Sequence, residues 1–300
     1  MPISLGPLSR RQFLAGALAA TVGMSCRSRS GSGGKLVDLD RFALLSDTHL
    51  SGDKTYTHKT GAMPWPNIQK INGEILSLDS RPAGVMVCGD VACLQGKPED
   101  YATVVDAAKP LNQAGLTVHY ALGNHDHREA FWDAIRKTPS RQRAVGNRHI
   151  SIIGSRHANW FLLDSLEETN KTPGLLGEQQ LAWLAKALDE RADKPAIVMV
   201  HHDPMIDGKG GLKDTDALMQ VLLPRRHVKA YVFGHTHVWQ NLQREGLHLV
   251  NLPTTAWVFD ARRPQGWVDV RLQPNGATFQ LNSLDTTHQQ HTQTLELVWR

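Results

Sequence analysis

Val118-His119-Tyr120-Ala121-Leu122 runs directly into Gly123-Asn124-His125-Asp126. A short, mainly apolar run followed by a glycine and a polar cluster reads as a buried strand that ends at a loop. The same pattern recurs along the chain. Phe42 to Ser46 precedes Asp47-Thr48-His49, and Val85 to Cys88 precedes Gly89-Asp90. Ile197 to Val200 precedes His201-His202, and Tyr231 to Phe233 precedes Gly234-His235-Thr236-His237. Carboxylates and imidazoles therefore gather at strand ends. In open α/β sheets ligands bind beyond the carboxyl ends of the strands, where residues distant in sequence converge. A single Asp or His in such a place is ordinarily a turn or capping residue. A series of such clusters calls for a shared site.

In this order the motifs Asp47-Thr48-His49, Gly89-Asp90, Gly123-Asn124-His125-Asp126, His201 and Gly234-His235-Thr236-His237 resemble those of the calcineurin-like metallophosphoesterases, from about Phe42 to His237. The segment from Gly123 to Phe131, with Arg128 two residues past the cluster, looks most like the branch containing cyclic-nucleotide and glycerophosphodiester phosphodiesterases. The resemblance implies a site for two metal ions, with Asp90 bridging them. One ion would take Asp47, His49 and His237, and the other Asn124, His201 and His235. His125 would stabilise a phosphate oxygen or protonate the leaving alkoxide, with Asp126 orienting its ring, and metal-bound hydroxide would be the nucleophile.

The residue types suit that chemistry. Two cations close together neutralise an anionic phosphate and ionise a bound water, and a carboxylate with two oxygens can bridge them. Imidazole, carboxylate and amide oxygen together favour iron, manganese or zinc over calcium, which prefers oxygen throughout. The implied activity is hydrolysis of a small-molecule phosphate ester, with diesters favoured. A phosphomonoesterase of the same fold and a non-catalytic metal-binding scaffold are the alternatives.

Apolar residues at helical spacing mark helices over Asn67 to Leu78, Glu99 to Gln113 and Glu178 to Asp189, and a helix is expected from Arg128 to Lys137. Further strands are read at Trp160 to Leu163, Leu247 to Leu252, Gly266 to Leu272 and Thr278 to Asn282. Periodicity alone gives a mixed α/β protein. The resemblance sharpens this to two mixed β-sheets packed as a sandwich and flanked by helices.

Ser9-Arg10-Arg11-Gln12-Phe13-Leu14, followed by the apolar stretch Ala15 to Val22, has the form of a twin-arginine export signal, expected over residues 1–26. That run is shorter than the roughly 20 residues that span a bilayer. The export machinery is thus an expected partner, and the periplasm or a membrane tether the expected location. Gly23-Met24-Ser25-Cys26 offers a lipid-anchor site at Cys26, while Ala17-Leu18-Ala19 is an alternative cleavage site. Residues 27–35, rich in Ser, Gly and Arg, read as a flexible tether, and residues 36–300 as one domain. The net charge of +4 does not indicate nucleic acid: Arg10, Arg11, Arg27, Arg29 and Lys35 exceed it, leaving residues 36–300 at about −1.

The remaining features are local. Cys88 and Cys93 are expected as buried thiols. The loop Ser51 to Pro66 lacks a regular period, and its Tyr56, His58 or Trp65 could cover a nucleobase or an alcohol leaving group, unless Trp65 anchors it in the core. His202 either faces the pocket or packs under its loop. Asp203 is expected to turn toward solvent, and His288 and His291 to be solvated.

Overall fold

The apolar runs form strands because each is covered on both faces. In the computed structural model, which describes residues 35–135, 145–204 and 210–300, the first half contains β1 (Val37–Ser46), α1 (Pro64–Ser77), β2 (Arg81–Cys88), α2 (Pro98–Gln113), β3 (Val118–Ala121) and α3 (Arg128–Ile135). Next come β4 (Ser151–Gly154), β5 (Asn159–Leu162), α4 (Glu178–Asp189), β6 (Ala196–Met199), α5 (Thr215–Leu222) and β7 (Val228–Phe233). The chain ends with β8 (Gln240–Arg244), β9 (Leu247–Asn251), β10 (Gly266–Gln273), β11 (Gly276–Ser283) and β12 (Thr294–Val298). The expected export signal, Cys26 included, and all but the last residue of the tether lie outside the described residues, as does Lys137.

These strands make two six-stranded sheets, ordered β12-β11-β10-β1-β2-β3 and β4-β5-β6-β7-β9-β8. Both are mixed. β1, β2 and β3 run parallel, with β10 to β12 added antiparallel. In the other sheet β5, β6, β7 and β9 are parallel, and β4 and β8 are antiparallel edges.

Successive side chains of a strand point to opposite faces, and that alternation builds the layers. Ala43, Leu45, Val85 and Val87 meet the helix side of the first sheet, where Ile71, Val104 and Phe131 pack. Their neighbours Phe42, Leu44, Met86 and Cys88 meet Trp160, Ile197, Met199 and Val232 between the sheets. Phe42 and Trp160 pack edge to face at 5.7 Å. Val198, Tyr231 and Phe233 point the other way, onto Leu184, Leu188, Leu218 and Leu222 of α4 and α5. The result is the sandwich flanked by helices. Burial on both faces also explains why the parallel strands read as continuous apolar runs instead of alternating ones.

The elements that sequence reading missed are mostly edges. β4, β8 and β12 each have one uncovered side, so Gln240 to Arg244 and Thr294 to Val298 carry no apolar run. Among the described helices none is long and apolar enough to cross a membrane.

Candidate metal centre

Strand register brings the polar clusters to one level. Ser46 pairs with Cys88 and Cys88 with Ala121, while Met199 pairs with Val232 and Phe233 with Asn251. The loops after β1, β2, β3, β6, β7 and β9 thus leave the same edge of the sandwich, and the site draws on both sheets. The Asp47 amide donates to the Gly89 carbonyl at 3.2 Å, and the His49 amide to the Asp90 carbonyl at 2.9 Å. Across the sheets the His235 amide donates to Asp47 Oδ2 at 3.2 Å.

The backbone here is unusual. Asp47, His49, Asp90, His235 and His237 all have φ between 42° and 66°. Residues other than glycine enter this left-handed region at a cost of about 1–3 kcal/mol each, and such residues concentrate at functional sites. Glycine is needed for clearance, as Gly123 and Gly234 illustrate. A Cβ at Gly123 would strike the Asp90 carboxylate and the His201 ring, and one at Gly234 would strike Ser46 Oγ and Asp47 Oδ2.

Among the described residues, three sets of carboxylate and imidazole atoms lie within 4.8 Å of one another: Asp47, His49 and His237; Asp90, His201 and His235; and His49, Asp90 and His125. Asp47 Oδ1 is 3.2 Å from His237 Nε2. Asp90 Oδ2 is 3.3 Å from His201 Nε2, 3.9 Å from His49 Nε2 and 4.0 Å from His125 Nε2. Asn124, the other sequence-derived ligand, is buried just after Gly123. Two of the imidazoles are oriented by carbonyls: His201 Nδ1 lies 2.8 Å from the Cys88 oxygen and His237 Nδ1 2.6 Å from the Trp257 oxygen. A proton held on Nδ1 in this way leaves Nε2 free as a ligand atom.

Burial dominates the electrostatics, and neighbouring charge decides the sign. Burial disfavours ionisation of Asp47, yet His237 and His201 outweigh it and hold the carboxyl below its usual range. Asp90 is likewise held well below, with His201, His125 and His49 overcoming its burial. His201 is pushed up to about 10, because Asp90 and Asp47 prevail over burial. Burial brings His49 down to about 3, and burial with the charge of His201 brings His235 down to about 4. Two buried carboxylates thus stand beside one imidazole held cationic, His201, and two held neutral, His49 and His235. Asn124 Oδ1 and both ring nitrogens of His49 have no hydrogen-bond partner, although buried polar atoms are ordinarily satisfied. This donor set fits divalent metal ions, which would take Asn124 Oδ1 and one ring nitrogen of His49 and meet the carboxylate charges.

His125 and Asp126 differ from the expected pairing. His125 Nδ1 is 2.7 Å from the Leu94 carbonyl, so a backbone oxygen orients this ring. Asp126 instead accepts hydrogen bonds from the amides of Val91, Ala92 and Gly123 and from the Tyr101 hydroxyl. It holds the two loops together and thereby places Asp90 and His125. Burial and the charge of Asp90 raise its carboxyl to about 6 against those amide bonds. Arg128 also lies elsewhere than the site: it binds Asp164 at 2.8 and 3.0 Å and the Leu166 carbonyl.

His202 is fully buried, with Nδ1 2.8 Å from Ser165 Oγ and its ring 4.8 Å from that of His235. It packs beneath the ligand-type histidines. Asp203 corrects the expectation of a solvent-facing side chain: it is 1% exposed, and its carbonyl accepts the Leu212 amide at 2.9 Å. Cys88 and Cys93 are free buried thiols. In the loop after β1, Trp65 packs on the core and carries Lys54 over its ring at 4.4 Å, while His58 reaches the site. It does so through Trp257. The indole stacks on His49 at 4.2 Å, and His58 stacks on the indole at 4.1 Å.

Trp257, Phe259 and Leu94 were not foreseen as site residues. Leu247 to Leu252 carries the same signal as the other runs, an apolar strand ending in a polar break, and its loop supplies both aromatics. Leu94 acts through its backbone, for which no side-chain signal exists.

A two-sheet sandwich gathering carboxylates and imidazoles at one edge defines a metal-binding α/β protein of the metallophosphoesterase class. The profile of the calcineurin-like phosphoesterases matches residues 40–239, and the chain belongs to that family. A 3′,5′-cyclic adenosine monophosphate phosphodiesterase from Haemophilus influenzae is 24% identical over 247 residues, covering 78% of this chain and 85% of the relative. A glycerophosphodiester phosphodiesterase from Enterobacter lignolyticus is 26% identical over 223 residues, covering 71% and 76%. Among solved structures, a dimetal phosphatase from Danio rerio superposes with a TM-score of 0.66 at 13% identity, covering 87% of this chain and 99% of the other.

Proposed function

We propose that this chain is a dinuclear metal-dependent phosphodiesterase. The observation that carries the reading is the position of Asp90, whose carboxylate lies within 4.0 Å of imidazole nitrogens of His49, His125 and His201. Asp47, His49 and His237 would hold one ion and Asn124, His201 and His235 the other, with Asp90 shared and iron, manganese or zinc the metals that suit the donors. Bound there, two cations would neutralise the phosphoryl oxygens and lower the pKa of a water.

The chain's own contribution is to position and to move a proton. Carbonyls of Cys88 and Trp257 fix the rings of His201 and His237, and Asp126 ties the loops that carry Asp90 and His125. His125 is 22% exposed at its side chain and so can meet substrate. With Nδ1–H committed to the Leu94 carbonyl, Nε2 faces Asp90 and is the atom through which the imidazolium form would give a proton to a leaving oxygen. A scaffold protein has no use for such an acid beside the ligand set. Diester preference draws support from the names of the two relatives. Residues 1–26 would direct the folded chain through the twin-arginine route to the periplasm, with Cys26 a candidate lipid anchor.

The test compares hydrolysis of bis-p-nitrophenyl phosphate and p-nitrophenyl phosphate by protein reconstituted with manganese, zinc or iron. Metal-dependent cleavage, faster for the diester and lost in Asp90→Ala and His125→Ala, is the expected result. Faster cleavage of the monoester would make the chain a phosphatase. Two bound metals without turnover of either ester would favour the scaffold.

A further inference from the structure

The segment between β9 and β10 lays two aromatic rings flat on two site imidazoles. Trp257 lies on His49 at 4.2 Å and 22°, and Phe259 lies on His237 at 4.3 Å and 16°. Their outer faces differ. His58 covers the outer face of Trp257, which is 5% exposed, whereas Phe259 is 73% exposed. Trp257 is therefore a clamp on His49. Phe259 is a ring held in one orientation with a face to spare.

That ring also lines a cavity of about 500 Å³, together with Thr60, Arg263, Gln265, Asp285 and His288. The volume falls within the range of small-molecule sites, roughly 300–1,000 Å³. His288 is accordingly half-buried on a cavity wall rather than solvated, with Nε2 3.0 Å from the Arg262 carbonyl. Arg263 and Asp285 balance in charge, so the cavity is poorly suited to the phosphate group, which cations held by the imidazoles and carboxylates would suit better. It offers polar partners for the edge of a neutral ring. Thr60 supplies a hydroxyl, and Gln265 keeps its Oε1 while its Nε2 donates to the Ala256 carbonyl at 2.6 Å.

We propose that Phe259 is the platform on which this site receives a planar ring on the organic group of its substrate, a nucleobase being the chemical class that fits. The inference rests on the phosphoesterase reading and deepens it. With the phosphate at the imidazole cluster, the sugar of a nucleotide would pass the edge of His237 and its base would lie on the open face of Phe259. Stacking on an aromatic side chain tolerates any base and is strong enough to set preference by about tenfold or more.

The experiment is calorimetric titration of the full-length, metal-loaded protein with adenosine 5′-monophosphate and with ribose 5-phosphate. The expected result is at least about tenfold tighter binding of the nucleotide, a difference abolished in Phe259→Ala and kept in Phe259→Trp. Equal affinity for the two ligands, a preference that survives Phe259→Ala, or no binding of either would each overturn the proposal. The readout is separate from turnover: ring preference without hydrolysis of any ester would retain the platform and remove the phosphodiesterase reading alone.

Discussion

The Nδ1 atom of His125 lies 2.7 Å from the carbonyl oxygen of Leu94. The contact crosses from the loop after β3 to the loop after β2, and Leu94 reaches it from a left-handed backbone with φ of 49°. A side chain expected to be oriented by its sequence neighbour is oriented by a backbone group 31 residues away. For the proposed reaction this sets the working nitrogen as Nε2. His125→Asn should lower kcat by about 10²- to 10⁴-fold, the usual contribution of a positioned acid, while two metals still bind. Loss of metal in proportion to activity, read by elemental analysis, would instead place His125 among the ligands.

Asp126 gives a pH signature. Its folded-state value of about 6 lies above the ordinary 3.8. A raised carboxyl means that the folded chain holds this proton more tightly than the unfolded one. Its contribution to stability is then full below about pH 4 and is lost as pH rises through about 6, with a ceiling near 3 kcal/mol for a shift of this size. Urea unfolding of metal-stripped protein should show the stability of wild type over Asp126→Asn growing as pH falls from 7 to 4. A constant gap would mean that the carboxyl titrates normally.

Metal removal should destabilise the whole edge of the sandwich, because the ligand-type side chains come from both sheets. Ions at about 1,000 times their dissociation constant would stabilise the fold by about 4 kcal/mol. Calorimetry with and without chelator should therefore show a clear fall in Tm for wild type. Asp90→Ala should bind fewer than two ions per chain and show a smaller fall.

Trp257 covers one face of the His49 ring at 4.2 Å. Removing the ring in Trp257→Ala frees His49 to leave its orientation, and outer partners of this kind are worth about 10- to 100-fold in metal affinity. Competition with a fluorescent chelator would detect it. Unchanged affinity would show that the left-handed backbone at His49 suffices to hold the imidazole.

Arg128 and Asp164 form a buried pair, with side chains 12% and 0% exposed. Removing the guanidinium takes two hydrogen bonds from the carboxylate, while Arg148 at 3.9 Å and the amides of His149 and Leu166 stay, so Arg128→Ala should cost about 1.5–3 kcal/mol. Its kcat at low temperature, where the variant remains folded, should match wild type. A selective loss of kcat would place Arg128 in the site.

By itself the sequence determined the class of fold and the cast of ligand types. Short apolar runs buried on both faces, each stopping at Asp, Asn, His or Gly, carry that information locally, since strand burial and loop onset are written in adjacent residues. The half-exposed edges β4, β8 and β12 were illegible for the converse reason: with one side uncovered, nothing selects an apolar run. Tertiary structure alone decided which partner each polar group takes. Asp126 is next to His125 in the chain, yet it turns to the amides of Val91 and Ala92, while Leu94 takes the ring. Asp203 goes inward, and Phe259 reaches His237 from a segment outside the motif order, whose one carboxylate, Asp260, is taken by Arg262. Such pairings depend on where two sheets place loops far apart in sequence, and a carbonyl or an open aromatic face leaves no mark in residue identity. The ligand types are local chemistry, whereas the geometry that would make them a working site is a property of the packed sandwich.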